Sequence, residues 1–171
     1  MIYWSGREPD VLVLDGLPSP IGSAFLKSLG GNIKYVHGPH DIIPRLSLIR
    51  AHVKTDFVAL HGDDELHLRN SLAECVRTTT ADPDLVSCIG WALGFQVHRS
   101  GKITGYDEYM DLRTHQLCCP DPLERIAQHM SPYRVPAHTY AVNRSDGYLR
   151  ALDIVCRNQR FFFAQAEYEI E

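Results

Sequence analysis

Thr55-Asp56-Phe57-Val58-Ala59-Leu60-His61-Gly62-Asp63-Asp64-Glu65 is the stretch on which the fold turns. Four apolar residues run almost directly into three consecutive carboxylates. A short continuous apolar run suits a strand buried on both faces of a parallel sheet. Three adjacent carboxylates repel one another, and a cation at the strand end relieves that repulsion. Mg2+ and Mn2+ take oxygen ligands and keep waters and substrate phosphates in their shells. The competing explanation is an acidic helix N-terminus, where Asp and Glu favour the helix dipole.

Working upstream, Val11-Leu12-Val13-Leu14 is a second apolar run, ended by Asp15-Gly16 and a Pro/Ser-rich turn. A helix is expected over 21–29, stopped by Gly30-Gly31, then a strand over 33–37. Ile42, Leu46, Ile49 and Val53 recur at helical spacing and predict one helix over 42–52. Downstream, a helix over 68–78 carries Leu68, Leu72, Cys75 and Val76 on its inner face. Strands alternating with helices imply βαβ units and a parallel sheet. Ligands bind at the carboxyl ends of such strands. Asp15 and Asp63-Asp64-Glu65 are therefore expected on one side of the sheet.

The second half is more mixed. The segment 85–91 is β-prone. Phe95-Gln96-Val97-His98 and Lys102-Ile103-Thr104 flank a Ser-Gly turn and read as a hairpin. Asp121-Pro122-Leu123-Glu124 has the form of a capping box. Leu123, Ile126, Ala127 and Met130 form the expected inner stripe of its helix. A short strand is expected over 140–142. Ser145 can cap a last helix carrying Leu149, Leu152, Val155 and Cys156.

Length and composition fit a single domain over 1–171: 171 residues, 44% hydrophobic and 22% charged, enough for a core without disulfide staples. A net charge of -4 argues against a protein built to coat nucleic acid, and leaves a nucleotide open as a small ligand. The five Cys are odd in number and contain no C-x-x-C pair, which suits free thiols in a reducing compartment. No apolar run reaches the ~18 residues of a membrane span, and no leader pattern opens the chain. The expected location is cytoplasmic.

Several side chains could carry chemistry beside the acidic cluster. Asp15 could contact the base or ribose of a nucleotide, or simply form an Asp-Gly turn. Arg45 could pair with phosphate or remain solvated. The scattered His, among them His61, His67, His98 and His138, have no zinc spacing. Tyr106 and Tyr109 could stack on a sugar, whereas Trp91 is expected in the core. Glu167, after Phe161-Phe162-Phe163, is a candidate carboxylate base or part of an acidic tail.

Together, Val13-Leu14-Asp15-Gly16, the 55–65 stretch, the Asp82-Pro83-Asp84 segment leading to Gly90, and Tyr140-Ala141-Val142-Asn143-Arg144 resemble a bacterial glycosyltransferase domain related to family 2. The resemblance covers most of 9–169. It implies a GT-A fold: a Rossmann-like, mainly parallel sheet flanked by helices. It further implies a nucleoside-diphosphate sugar donor held by Mn2+ or Mg2+, and inverting transfer to an acceptor hydroxyl. By position, Asp15 matches the nucleoside-contacting Asp and Arg45 a basic residue of the preceding helix. Asp63, Asp64 and Glu65 match the metal and diphosphate motif, with Glu in place of a third Asp. Glu167 would be the base.

The first strand and helix of that family have no counterpart, since only ten residues precede Val11. A truncated form, or a non-catalytic sugar-nucleotide-binding remnant, is the alternative. A metal-dependent phosphohydrolase is a third. Phosphatases of the haloacid dehalogenase type also open with four apolar residues and Asp, but need a second Asp where Leu17 stands.

Overall fold

In the computed structural model, residues 2–62, 65–108, 116–129 and 138–157 are described. Val11–Asp15 forms strand β1 and Ile33–His37 forms β2, and the two pair in parallel with Asp15 opposite His37. The short helix α1, Ser23–Lys27, makes the crossover between them. This βαβ unit is the one expected from the sequence, although β1 is partly rather than fully buried along most of its length.

The expected helix over 42–52 is broken in two: α2, Ile42–Leu46, and α3, Ile49–His52. The cause is local. Ser47 Oγ donates to the Pro44 carbonyl at 2.6 Å, the acceptor that Leu48 N–H would use in a continuous helix. Leu48 N–H turns instead to Arg45 O at 3.1 Å, tightening the turn.

The mainly parallel sheet is not formed as expected. The chain is mixed α/β, but the strands among its described residues fall into three small sheets. In the second, β3 (Phe57–Val58) and β4 (Ser87–Cys88) both pair antiparallel with β7 (Val142–Arg144), which lies between them. Among the described residues, only β1–β2 is a parallel pair. The segments 57–60 and 85–91 shrink to two-residue strands because β7, their shared partner, is three residues long. The strand expected over 140–142 begins at Val142, and His138–Tyr140 is a turn of 3-10 helix.

The third sheet is the expected hairpin, β5 (Ala92–Val97) with β6 (Ile103–Glu108). Gly101 takes φ +79° in its turn, where a side chain would be strained. Helix α4, Arg69–Ala81, buries Cys75 and Thr79, whereas Leu68 sits at its N-cap and is exposed. Asp121 caps α5, Pro122–His129, by accepting from Leu123 N–H at 2.8 Å. Glu124 accepts from Cys119 Sγ at 2.9 Å. The expected inner stripe of α5 is exposed at Leu123, Ile126 and Ala127, and Met130 lies outside the described residues.

The core forms where α6, Ser145–Arg157, lies on α2 and α3. Tyr148, Leu152 and Val155 of α6 pack with Ile43, Leu46 and Ile49, and Leu14 and Val58 join from the two inner sheets. Burying these side chains at roughly 1.5–3 kcal/mol each is the main force holding the first half of the chain to the last helix. Two polar clamps add to it. Asn32 accepts from Gly6 N–H at 2.8 Å and donates to the carbonyls of Trp4, Arg7 and Pro9, folding the N-terminal segment onto the β1–β2 unit. Arg144 donates to the carbonyls of Leu85 and Thr79 at 2.8 and 2.6 Å and lies over the Phe57 ring at 5.6 Å. Among the described residues, no helix is long and apolar enough to cross a membrane.

Candidate functional site

The carboxyl ends of β1 and β2 gather Asp15, Tyr35, His37, His40 and Arg45. Asp15 is only 8% exposed. Its Oδ2 accepts from the Tyr35 hydroxyl at 2.5 Å and its Oδ1 from Leu17 N–H at 2.8 Å. Tyr35 Oη in turn accepts from Ile21 N–H at 3.0 Å, so one phenol ties both ends of the loop after β1. The Tyr35 hydrogen bond, followed by that of Leu17, holds the Asp15 carboxyl below the ordinary carboxylate range. Burial, and next its bond to Asp15, pushes Tyr35 up. The pair therefore stays as carboxylate and phenol near neutral pH. An ionised Asp15 is an acceptor only; with one bond already on each oxygen and little exposure, it braces the loop first and keeps at most one lone pair per oxygen for a ligand hydroxyl or N–H.

The imidazoles support the same loop. His37 Nε2 lies 2.8 Å from Leu17 O, and His40 Nδ1 lies 2.9 Å from Gly16 O. Since carbonyls only accept, these nitrogens carry the protons. The loop backbone is thus held from β2 and from the segment after it.

Arg45, on α2, reaches over Gly16. A β-carbon at Gly16 would fall 1.3 Å from Arg45 Nη1 and 2.6 Å from its Cζ. Arg45 is half-buried and makes no ion pair or side-chain hydrogen bond among the described residues. A guanidinium in that state, beside a loop at strand carboxyl ends, is suited to an anionic ligand group.

The second cluster follows β3. Glu65 Oε2 accepts from Gly62 N–H at 3.0 Å, and His67 Nε2 lies 3.1 Å from Leu60 O. The rings of His61 and His67 are 5.0 Å apart. Burial, and then the neighbouring His67, holds His61 below the usual imidazole range. Asp63 and Asp64, at the centre of the cluster, lie outside the described residues, as do Glu167 and Tyr109. No group of three or more His, Cys, Asp or Glu is placed to hold a metal ion among the described residues. No hydrogen bond or ion pair among them joins this cluster to Asp15 or Arg45.

Other candidates resolve into structural roles. His98 Nε2 meets Thr104 Oγ1 at 2.9 Å across the hairpin. Trp91, expected in the core, is 68% exposed because it precedes a hairpin that packs on little beyond itself among the described residues; Tyr106 is exposed as well. Arg144 is consumed by backbone carbonyls. All five cysteines are free, and burial with the neighbouring Cys88 pushes the Cys75 thiol up to about 12, making it inert as a nucleophile.

Sequence reasoning missed Tyr35, His37, His40 and the bare surface of Gly16. A signal was present. Asp15-Gly16-Leu17-Pro18 and His37-Gly38-Pro39 end their strands alike, and Tyr35 shares a strand face with His37. No protein-family model, curated protein or solved structure matches this chain.

Proposed function

We propose that the chain is a metal-dependent glycosyltransferase of GT-A type, moving a sugar from a nucleoside-diphosphate donor to an acceptor hydroxyl with inversion. The observation that carries this reading is the meeting of an ionised Asp15 and an ion-pair-free Arg45 at the carboxyl ends of parallel strands. Asp15 would accept from the nucleoside, and Arg45 would neutralise diphosphate charge. The carboxylate-only donor set of Asp63, Asp64 and Glu65 fits Mn2+ or Mg2+. Glu65 engages only one carboxylate oxygen with Gly62 N–H, leaving the other for a ligand. A bound ion would offset the negative charge of the departing diphosphate. The base would take the acceptor proton as the acceptor oxygen bonds to the anomeric carbon and the nucleoside diphosphate leaves; Glu167 is proposed for it.

The test is thermal stability with a panel of nucleoside diphosphates, each with and without Mn2+. Binding to the folded state alone adds about 2.7 kcal/mol at a hundredfold excess over Kd. Glu65→Ala should abolish the Mn2+-dependent part of the shift and leave the unliganded melting temperature nearly unchanged. An equal shift in the mutant would overturn the metal assignment, and no shift with any nucleotide would overturn the reading itself.

A second reading, a sugar-nucleotide-binding module without turnover, is favoured by the N-terminal segment. Residues 2–9 are pinned by Asn32 as a 3-10 turn and loop instead of adding a strand beside β1. Tight binding with no sugar release or transfer would support it.

A further inference from the structure

We infer that Gly16 is a positioning residue, whose missing side chain is what allows Arg45 to present its guanidinium at the strand ends. The inference rests on the proposed anion-binding role of this site. Gly16 has no need of glycine for its backbone, since it is not among the residues with positive φ. It matters for close approach instead. The position a β-carbon would take is filled by the guanidinium, 1.3 Å from Nη1 and 2.6 Å from Cζ, with the Pro39 carbonyl at 3.2 Å. A methyl group there must displace the arginine head. That head is the end of a flexible chain, so its displacement costs little folding stability, and the remaining cost is the few tenths of an ångström by which the Pro39 carbonyl must give. It costs the ligand its cation.

Gly38 is the internal contrast. It follows β2 as Gly16 follows β1, and the stem of Arg45 crosses it. A β-carbon at Gly38 would lie 3.6 Å from Arg45 Cγ, an ordinary contact, and 2.9 Å from Leu48 Cδ1. Leu48 Cδ1 is likewise the end of a flexible, half-buried side chain, so Gly38→Ala should cost little stability and leaves the guanidinium in place. Two glycines in matching positions thus differ in their consequence for binding: Gly16→Ala should damage it, and Gly38→Ala should not.

The experiment is a double-mutant cycle on the full chain, read by calorimetric titration with the four common nucleoside diphosphates plus Mn2+, and with inorganic pyrophosphate alone. Arg45→Met should weaken binding by roughly 10- to 100-fold, the worth of a charge-assisted hydrogen bond. Gly16→Ala should weaken it comparably, with a fall in Tm of no more than about 4 °C. In the Arg45→Met background, Gly16→Ala should add less than about twofold, because its effect passes through the arginine. Gly38→Ala should bind within about twofold of wild type. Wild-type binding that Gly16→Ala leaves unchanged overturns this inference alone, as does a fully additive cycle. Failure of the wild type to bind any of these anions overturns it together with the functional reading.

Discussion

Arg45 and Arg144 sit in similar surroundings, half-buried beside a short strand, yet they do opposite things. Arg144, at the end of β7, spends its guanidinium on the carbonyls of Leu85, Thr79 and Asp82 and on the face of Phe57. It closes the C-terminal end of α4 onto the second sheet. Arg45, beyond the end of β1, makes no side-chain hydrogen bond or close ion pair among the described residues, feels the Asp15 carboxylate only at longer range, and lies on a glycine. A cation satisfied by backbone acceptors has little left for a ligand. One that lies on a glycine and feels a carboxylate only at longer range keeps its full hydrogen-bonding capacity. The β3–β7–β4 region is therefore the scaffold, and the β1–β2 end is the candidate binding surface.

Both regions lean on the same core, and the largest expected effect lies there. Leu152 is 1% exposed between α6 and α2. Leu152→Ala should cost about 2–5 kcal/mol by transfer and cavity terms, measured by chemical denaturation. It should lower stability and ligand occupancy together. A loss below about 1 kcal/mol would mean that α6 does not join the two regions.

Next in size is Arg144→Met, which strips a charged donor from several carbonyls and should cost about 2–3 kcal/mol. Ligand affinity of the folded fraction should stay unchanged. A drop in affinity with no loss of stability would reverse the roles assigned to the two arginines.

The Asp15 network comes third, and pH reads it. Its folded pKa is depressed by Tyr35 and Leu17. The stability it contributes is then present above the unfolded value of about 3.9 and is lost as pH falls through the folded value. The gap in Tm between wild type and Asp15→Asn should be widest near neutral pH and narrow as the solution is acidified below about 4. A gap that does not vary with pH would remove the charge from the argument.

The smallest stability change is expected for Arg45→Met, under about 0.5 kcal/mol by denaturation, since few native contacts are lost. A loss as large as that of Arg144→Met would show that Arg45 is a second structural clamp and would end its candidacy as a ligand group.

Elements whose signals are local were legible in the sequence. The β1–α1–β2 unit, the hairpin around Gly101, the Asp121 cap and the helix that begins at Ser145 all follow from apolar periodicity and turn chemistry within a few residues. Asp15 and Arg45 were legible as candidates because a strand end and a helix position are also local properties. The grouping of strands was not. An apolar run such as 57–60 is compatible with a parallel or an antiparallel neighbour, and the pairing partner, Val142–Arg144, lies over eighty residues away in the chain. The break of 42–52 into two helices at Ser47 left no mark on the apolar periodicity.

The sequence by itself determined that the chain makes short mixed elements, with a carboxylate at the end of its first strand and a guanidinium in the helical segment before the acidic stretch. Only the tertiary structure decided which arginine is consumed and which is left. That choice depends on whether backbone carbonyls or a bare glycine stand opposite the side chain, and such neighbours are brought together by packing across dozens of residues rather than by anything in the local pattern.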